Sequence, residues 1–279
     1  MAMNTVINTN IRALTAHRNL GAVGNRQQKA NHKLSSGKKI NSAADDAAGL
    51  AISDKMKSQI RGLDMAAKNA EDGVSLVQTA EGSMNEVSDM LQRMRELAIQ
   101  ATNGTNTQED RAKIQREVQQ LEDEIDALAG RTQFNKQNIG TGALSAGITL
   151  QIGANKDQTL KVAVSGGALQ TSALGISDIA GSFTDVASLP GIISNLDTAL
   201  AKVAESRAQL GAYQNRLEHS INDIKNSREN LSAANSRIED ADMAREMMEL
   251  TQANVLQQAA TSMLAQANQA PQSITQLLG

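Results

Sequence analysis

Cysteine and tryptophan are absent from this 279-residue chain, and only two prolines, two phenylalanines and one tyrosine are present. Without cysteine there is no disulfide, no iron–sulfur cluster and no thiolate nucleophile. With aromatics at 1%, the large rings that fill many globular cores are missing. The 40% hydrophobic content must come from Ala, Leu, Ile, Val and 11 Met, side chains that suit thin seams between helices. A formal net charge of -3 offers no overall attraction to nucleic acid or an anionic membrane, so neither partner is expected. No uncharged apolar run reaches the roughly 20 residues that a spanning helix needs, so no membrane insertion is expected. Met1 to Ile11 has no cationic segment followed by an apolar stretch, so no signal peptide is expected either. Leu250 to Gly279 carries no charge, yet Gln, Asn, Ser and Thr interrupt it throughout.

Helix signals occupy both ends, and strand signals occur only in the middle. Residues 4 to 35 read as a first helix with Ile7, Ile11 and Leu14 on one stripe, stopped by Ser35-Ser36-Gly37. Ser42-Ala-Ala-Asp45 has capping-box spacing for a second helix, which continues to Thr102 before Asn103-Gly104 breaks it. Within it Leu76, Ala80, Ser83, Val87, Met90, Met94, Leu97 and Ala101 recur in alternating steps of four and three, a heptad seam. Ile114, Val118, Leu121, Ile125 and Leu128 form a shorter seam from Asp110 to Gly130, predicting an antiparallel partner helix.

The period then changes. Ile148, Leu150 and Ile152 alternate, as do Leu160, Val162 and Val164, across a polar turn, predicting a β-hairpin. From Gly166 to Pro190 the chain is rich in Gly, Ser, Thr and Ala and reads as a surface loop. Helical spacing resumes after Ser188 and Pro190, from Ile193 to Leu231. A last helix is expected from about Ser236 to Asn268, ended by Pro271, with Met243, Met247 and Leu250 on one stripe and Leu256, Ala260, Met263 and Ala267 on another. Two stripes call for more than one partner. Residues 1 to 44 hold seven Lys and Arg and no acid, while 238 to 279 hold five acids against Arg245. Opposite charge selects pairing between the terminal helices. The expected fold class is therefore mainly α, a long coiled-coil-like helical rod with a small β-hairpin and paired N- and C-terminal helices.

Catalytic and metal-binding patterns are missing. His17, His32 and His219 have no second ligand at metal spacing and read as solvated. Gly37-Lys38 lacks the upstream glycine of a phosphate loop, and Gly140-Thr-Gly142 lacks the third glycine of a dinucleotide site. Asp45-Asp46 and Glu122-Asp123-Glu124 read as capping or solvated acids. No nucleophile is paired with a base, so the chain is not expected to be an enzyme or to hold a cofactor or metal.

Three stretches carry a resemblance. Leu34-Ser-Ser-Gly-Lys-Lys-Ile-Asn-Ser-Ala-Ala-Asp-Asp-Ala-Ala-Gly and its continuation to Leu63, Leu91-Gln-Arg-Met-Arg-Glu-Leu-Ala-Ile-Gln100, and the ending from Ser236-Arg-Ile-Glu-Asp-Ala-Asp to Leu-Leu-Gly closely resemble bacterial flagellins. The likeness covers about residues 1 to 140 and 190 to 279. It implies a subunit that polymerises into the flagellar filament, with residues 1–44 and 238–279 as an inner core domain. Residues 45–237 would form a rod-like domain around it, with the hairpin and loops at about 141–189. With so little chain between Phe134 and Pro190, it implies a short form without large outer domains.

The same resemblance implies type III export guided by a disordered N-terminal segment. The partners it implies are copies of the chain itself, an export chaperone holding the C-terminal helix, the filament cap, the hook–filament junction proteins and the vertebrate Toll-like flagellin receptor. The receptor motif matches Arg93, Leu97 and Glu117, and the terminal-helix assembly residues would be Ile7, Ile11, Leu14, Met243, Met247, Leu250, Leu256 and Met263. The filament would be extracellular, or periplasmic in a spirochaete. A coiled-coil adaptor or secretion-needle component would share the heptads but not the three stretches together.

Overall fold

The computed structural model describes residues 9–164, 169–183 and 185–278. In chain order they form helices α1 (Ile11–Ser36), α2 (Ala47–Thr102) and α3 (Gln108–Arg131), then a ribbon of β1 (Gln133–Phe134) and β2 (Gln137–Asn138). An irregular helical turn over Ile139–Ala143 and a single turn α4 (Leu144–Ala146) lead to the hairpin of β3 (Ile148–Gln151) and β4 (Thr159–Val162). A short α5 (Thr171–Leu174) and a tight turn at Ala180–Ser182 precede the long helices α6 (Leu189–Glu239) and α7 (Met243–Leu278). The fold is mainly α, as the sequence predicts, with two small antiparallel strand pairs. Among the described residues no helix is long and apolar enough to cross a membrane. Two compact units emerge, one of Met1–Ser58 with Asn230–Gly279 and one of Gln59–Glu229.

The unit of Gln59–Glu229 is built on the predicted heptads. Leu76, Ala80, Val87, Met94, Leu97 and Ala101 of α2 are buried, with Ser83 and Met90 half-buried beside them. A second stripe of Val77, Met84, Leu91 and Ala98 is equally buried, so α2 packs over a wider arc than one seam provides. Val118 and Ile125 of α3 and Leu196, Val203, Leu210 and Leu217 of α6 belong to the same hydrophobic cluster. Asn103 and Gly104 end α2 as expected, and α3 starts slightly before Asp110. Thr107 caps it by accepting from the Asp110 N–H while the Asp110 carboxylate accepts from Thr107.

The hairpin has the register Ile148↔Val162 and Leu150↔Leu160, so the predicted alternation sets one face inward. It lies on α2 at Gly73, where any Cβ would meet Leu150, and Asn69 of α2 donates to the Gln151 carbonyl at 3.1 Å. The ribbon of β1 and β2 is an addition. Asn135 (φ 48) and Lys136 (φ 64) both turn left-handed between them, as a two-residue hairpin requires, but strands of two residues show no period.

Several expectations are corrected. The segment before Pro190 is no surface loop: Leu169, Leu174, Ile176, Ile179, Phe183 and Leu189 are all buried. Acids of α3 hold it in place. Asp126 accepts from both the backbone N–H and the hydroxyl of Thr171 at 2.9 Å, and Glu122 accepts from the Ala180 N–H at 3.0 Å. Glu122 is thus buried, not solvated, and burial pushes its pKa up against the opposing pull of that hydrogen bond.

Ser42 and Asp45 close a turn on each other, but the residue that caps α2 is Asp46, which accepts from the Gly49 N–H at 2.9 Å. α6 continues through Ser236 to Glu239, and α7 begins only where Asp242 accepts from the N–H groups of Ala244 and Arg245. Pro271 lies inside α7. Proline supplies no N–H to the carbonyl four residues back, which is that of Ala267, and Asn10 Nδ2 donates to that oxygen at 2.7 Å instead.

Candidate assembly surface

α1 and α7 are antiparallel, and hydrogen-bonded rungs set their register. Besides Asn10 and Ala267, Gln27 donates to Asn254 at 2.6 Å, and Lys33 pairs with Glu246 at 3.1 Å. Gly37 takes a left-handed φ of 70 as the cap of α1. The chain beyond it then forms a short backbone bridge, with the Lys39 N–H on the Glu239 carbonyl and the Ala241 N–H on that of Gly37.

Glu239 gathers the charge of this corner. Its carboxylate accepts from Lys57 at 2.6 Å, Lys38 at 2.7 Å, Ser53 at 2.7 Å and Asn235 at 3.3 Å. Burial by itself pushes the group up, but the four donors outweigh it and hold the pKa at about 2. Lys38–Glu239 and Lys33–Glu246 realise the charge complementarity read from the two termini.

Between the two helices alanines mix with larger, half-buried side chains. On α1 the positions turned from solvent include Ala13, Ala16, Leu20, Val23, Gln27, Ala30 and Leu34, and on α7 they are Glu246, Leu250, Ala253, Gln257, Ala260, Leu264 and Ala267. Each set keeps steps of three and four, but only Ala30, Glu246 and Ala253 are fully buried. Other large apolar groups stand exposed: Ile11 and Leu14 are each 56% exposed, Leu256 40% and Met263 61%. A groove of about 830 Å³ runs beside Ile11, Thr15, Val23, Leu256 and Met263. Solvent-facing apolar side chains this concentrated make the pair a candidate interaction surface.

Of the assembly residues predicted from sequence, Ile11, Leu14, Met243, Met247, Leu256 and Met263 are exposed. Leu250 is half-buried on the inward stripe, and Ile7 lies outside the described residues. Met248 and Val255 are also exposed on α7, outside the predicted stripes. Their signal was a bulky apolar residue off the alanine-bearing face.

In the other unit Arg93 of α2 and Glu117 of α3 meet across the helix pair. The guanidinium donates to one Glu117 oxygen at 2.8 and 3.0 Å and to Glu96 at 3.1 Å. Both partners are about half exposed. Leu97, one turn from Arg93, is only 1% exposed and packs into the seam, so the structure brings the two charges together and turns the leucine inward.

Comparison with known proteins identifies the scaffold. Residues 7–143 match the bacterial flagellin N-terminal helical region and residues 193–278 the bacterial flagellin C-terminal helical region. A flagellin of Halalkalibacterium halodurans is 50% identical across 98% of this chain and 99% of its own length. The flagellar filament 33 kDa core protein of Treponema phagedenis is 45% identical across 98% of this chain and 99% of its own. The crystal structure of Bacillus cereus flagellin is 33% identical, with a TM-score of 0.48 over 60% of this chain and 94% of that one. Two regional matches joined by end-to-end identity at this level place the chain in the bacterial flagellin family.

Proposed function

We propose that this flagellar filament subunit, a structural protein and not an enzyme, polymerises through its terminal helix pair, whose ordering is completed by neighbouring copies. One observation carries the reading: among the described residues the pair fully buries only Ala30, Glu246 and Ala253 and turns Ile11, Leu14, Leu256 and Met263 outward. A two-helix seam with so few buried large groups recovers little of the entropy lost on ordering about sixty residues. Stacked copies supply the missing burial, so folding of the ends and growth of the polymer are linked. A non-closing contact between identical subunits builds an open helical array.

In this reading residues 1–44 and 238–279 form the inner domain and 45–237 the surrounding one. The exposed face of α7 is first held by an export chaperone and later meets other copies, with the cap and hook-junction proteins at the two ends of the filament. The filament is extracellular, or periplasmic in a spirochaete. Arg93 and Glu117 supply the contact for the Toll-like flagellin receptor, with Leu97 setting the spacing of the two helices beneath them.

Replacing Ile11 and Met263 together by Asp tests the assembly surface. The variant is expected to keep the helical circular dichroism of the wild-type monomer and to give no filaments by electron microscopy after seeding. Removing Leu250 to Gly279 should likewise leave a soluble monomer. Filaments from either protein would sink the reading.

A further inference from the structure

Among the described residues the methionines include both fully buried and widely exposed thioethers. Met84 and Met94 lie in the core of the Gln59–Glu229 unit at 1% and 0% exposure. Met243, Met247, Met248 and Met263 all stand on α7 at 49% to 67%. The chain has neither cysteine nor tryptophan, so the thioether is its most readily oxidised side chain. The four thioethers belong to the exposed side of α7, which in the proposed function meets other copies. Glu246 and Ala253 mark the face of α7 turned to α1, and Met247, Met248 and Met263 lie off it.

We propose that the methionines on the outer face of α7 are a peroxide-sensitive modification site that controls whether the free subunit can join a polymer. Hydrogen peroxide or a hydroperoxide is the oxidant. The sulfur lone pair takes the terminal peroxide oxygen, the O–O bond breaks, and the remaining oxygen leaves as water, or as an alcohol from a hydroperoxide. Sulfur loses two electrons and the peroxide gains them. The product is a sulfoxide, polar and chiral where the thioether was apolar and pliable. Burying it against a neighbouring copy leaves a strong acceptor without a donor. Helix pairing within the subunit is untouched because none of the four exposed methionines lies on its seam. The modification therefore acts on the free subunit, and contact with neighbours shields the same sulfurs once they are covered.

The effect on growth rests on the assembly reading, whereas the oxidation pattern does not. The test treats full-length monomer with hydrogen peroxide, quenches with catalase, maps sulfoxides by peptide mass spectrometry and measures elongation from seeds. Met243, Met247, Met248 and Met263 should oxidise ahead of Met84 and Met94, with Met65, 55% exposed outside the terminal pair, oxidising as a control for exposure alone. Elongation should fall by about tenfold. Methionine sulfoxide reductases should restore it, and a variant with the four α7 methionines changed to Leu should keep elongating after peroxide. Should that variant fail to elongate untreated, restoration of the oxidised wild type by the reductases decides the matter.

Oxidised monomer that elongates normally, or core methionines that oxidise as fast as the four, would overturn the proposal. An unoxidised M247Q/M263Q variant separates the two readings. If it elongates as wild type, the assembly surface is wrong; if it stalls while peroxide leaves the four sulfurs unmodified, only the oxidation proposal falls.

Discussion

Asn10 Nδ2 lies 2.7 Å from the carbonyl oxygen of Ala267, the acceptor that Pro271 leaves without an intrahelical donor. The same side chain caps α1 by accepting from the Ala13 N–H at 3.0 Å. One residue thus completes the start of the first helix and the interrupted turn of the last. Asn10→Ala should cost about 2 kcal/mol, a lost cap plus an unsatisfied carbonyl, read as a lower denaturation midpoint. Pro271→Ala restores the intrahelical donor, so the double variant should lose only the cap. Strict additivity of the two changes in a double-mutant cycle would show that the bond carries no energy.

The carboxylate of Glu239 makes stability pH-dependent in a predictable direction. Its folded pKa of about 2 lies below the ordinary value of 4.5, so the unfolded chain binds the proton more tightly. The stabilisation is complete above the ordinary value and drains away as pH falls toward the folded one. Thermal unfolding followed by circular dichroism should show a midpoint falling through that acid window. Glu239→Gln should flatten this dependence and cost about 2 kcal/mol at neutral pH, because two lysines and a serine lose a charged acceptor. An unchanged acid profile in the variant would assign the transition to other carboxylates.

What the sequence made legible follows from periodicity. The α2 heptads, the α3 seam and the hairpin all had repeating spacing, and the structure buries them as read. The segment from Leu169 to Leu189 had none, because its core residues fall at irregular intervals and are fixed by Glu122 and Asp126, which a charge count reads as surface. The terminal helices misled in a different way. Ile11, Leu14, Met243 and Met247 are the bulkiest groups on their stripes, and the ordinary expectation is that such groups face the partner helix. Here Leu20, Leu34, Leu250 and Leu264 are half-buried among alanines on the facing sides, while those four groups stand exposed. Pro271 reads as a terminator because its rescuer, Asn10, lies at the opposite end of the chain.

Glycines give a sharp contrast between required and incidental positions. A Cβ on Gly140 would collide with the Ala129 carbonyl oxygen and come within 2.9 Å of its Cα, whereas one on Gly82 of α2 meets nothing within 4 Å. Backbone cannot swing aside as a side-chain tip can. Gly140→Ala should therefore destabilise the protein by about 2 kcal/mol. Gly82→Ala should stabilise it by about 0.5 to 1 kcal/mol through helix propensity. Urea midpoints of equal sign for both would contradict the close approach.

The three residues of the receptor motif should separate in experiment. Leu97→Ala empties a fully packed site and should cost about 2 to 4 kcal/mol of stability, so its loss of signalling follows from altered helix spacing. Arg93→Ala together with Glu117→Ala removes an exposed ion pair, which solvent screening leaves with little effect on stability. Its melting curve should stay near wild type while activation in a receptor reporter cell drops. Reporter output unchanged by the double substitution would remove these charges from the contact.

The alanine seam makes its own demand. Ala30 and Ala253 are 2% and 4% exposed on facing helices, and neither has room for a longer side chain unless the helices part. Ala30→Leu or Ala253→Leu should cost about 1 to 3 kcal/mol by overpacking, although each adds apolar surface. The rungs at Gln27–Asn254 and Lys33–Glu246 bracket the site, so separation there strains polar contacts on both sides. The damage should differ in kind from that of an outward change such as Ile11→Asp. Inward leucines should lower the helicity of the free subunit and slow elongation together, whereas the outward aspartate should stop elongation and leave helicity alone. If inward leucines elongated at the wild-type rate with helicity intact, the two helices would be held by something other than this seam, and the outward-facing groups would lose their claim to be reserved for neighbours.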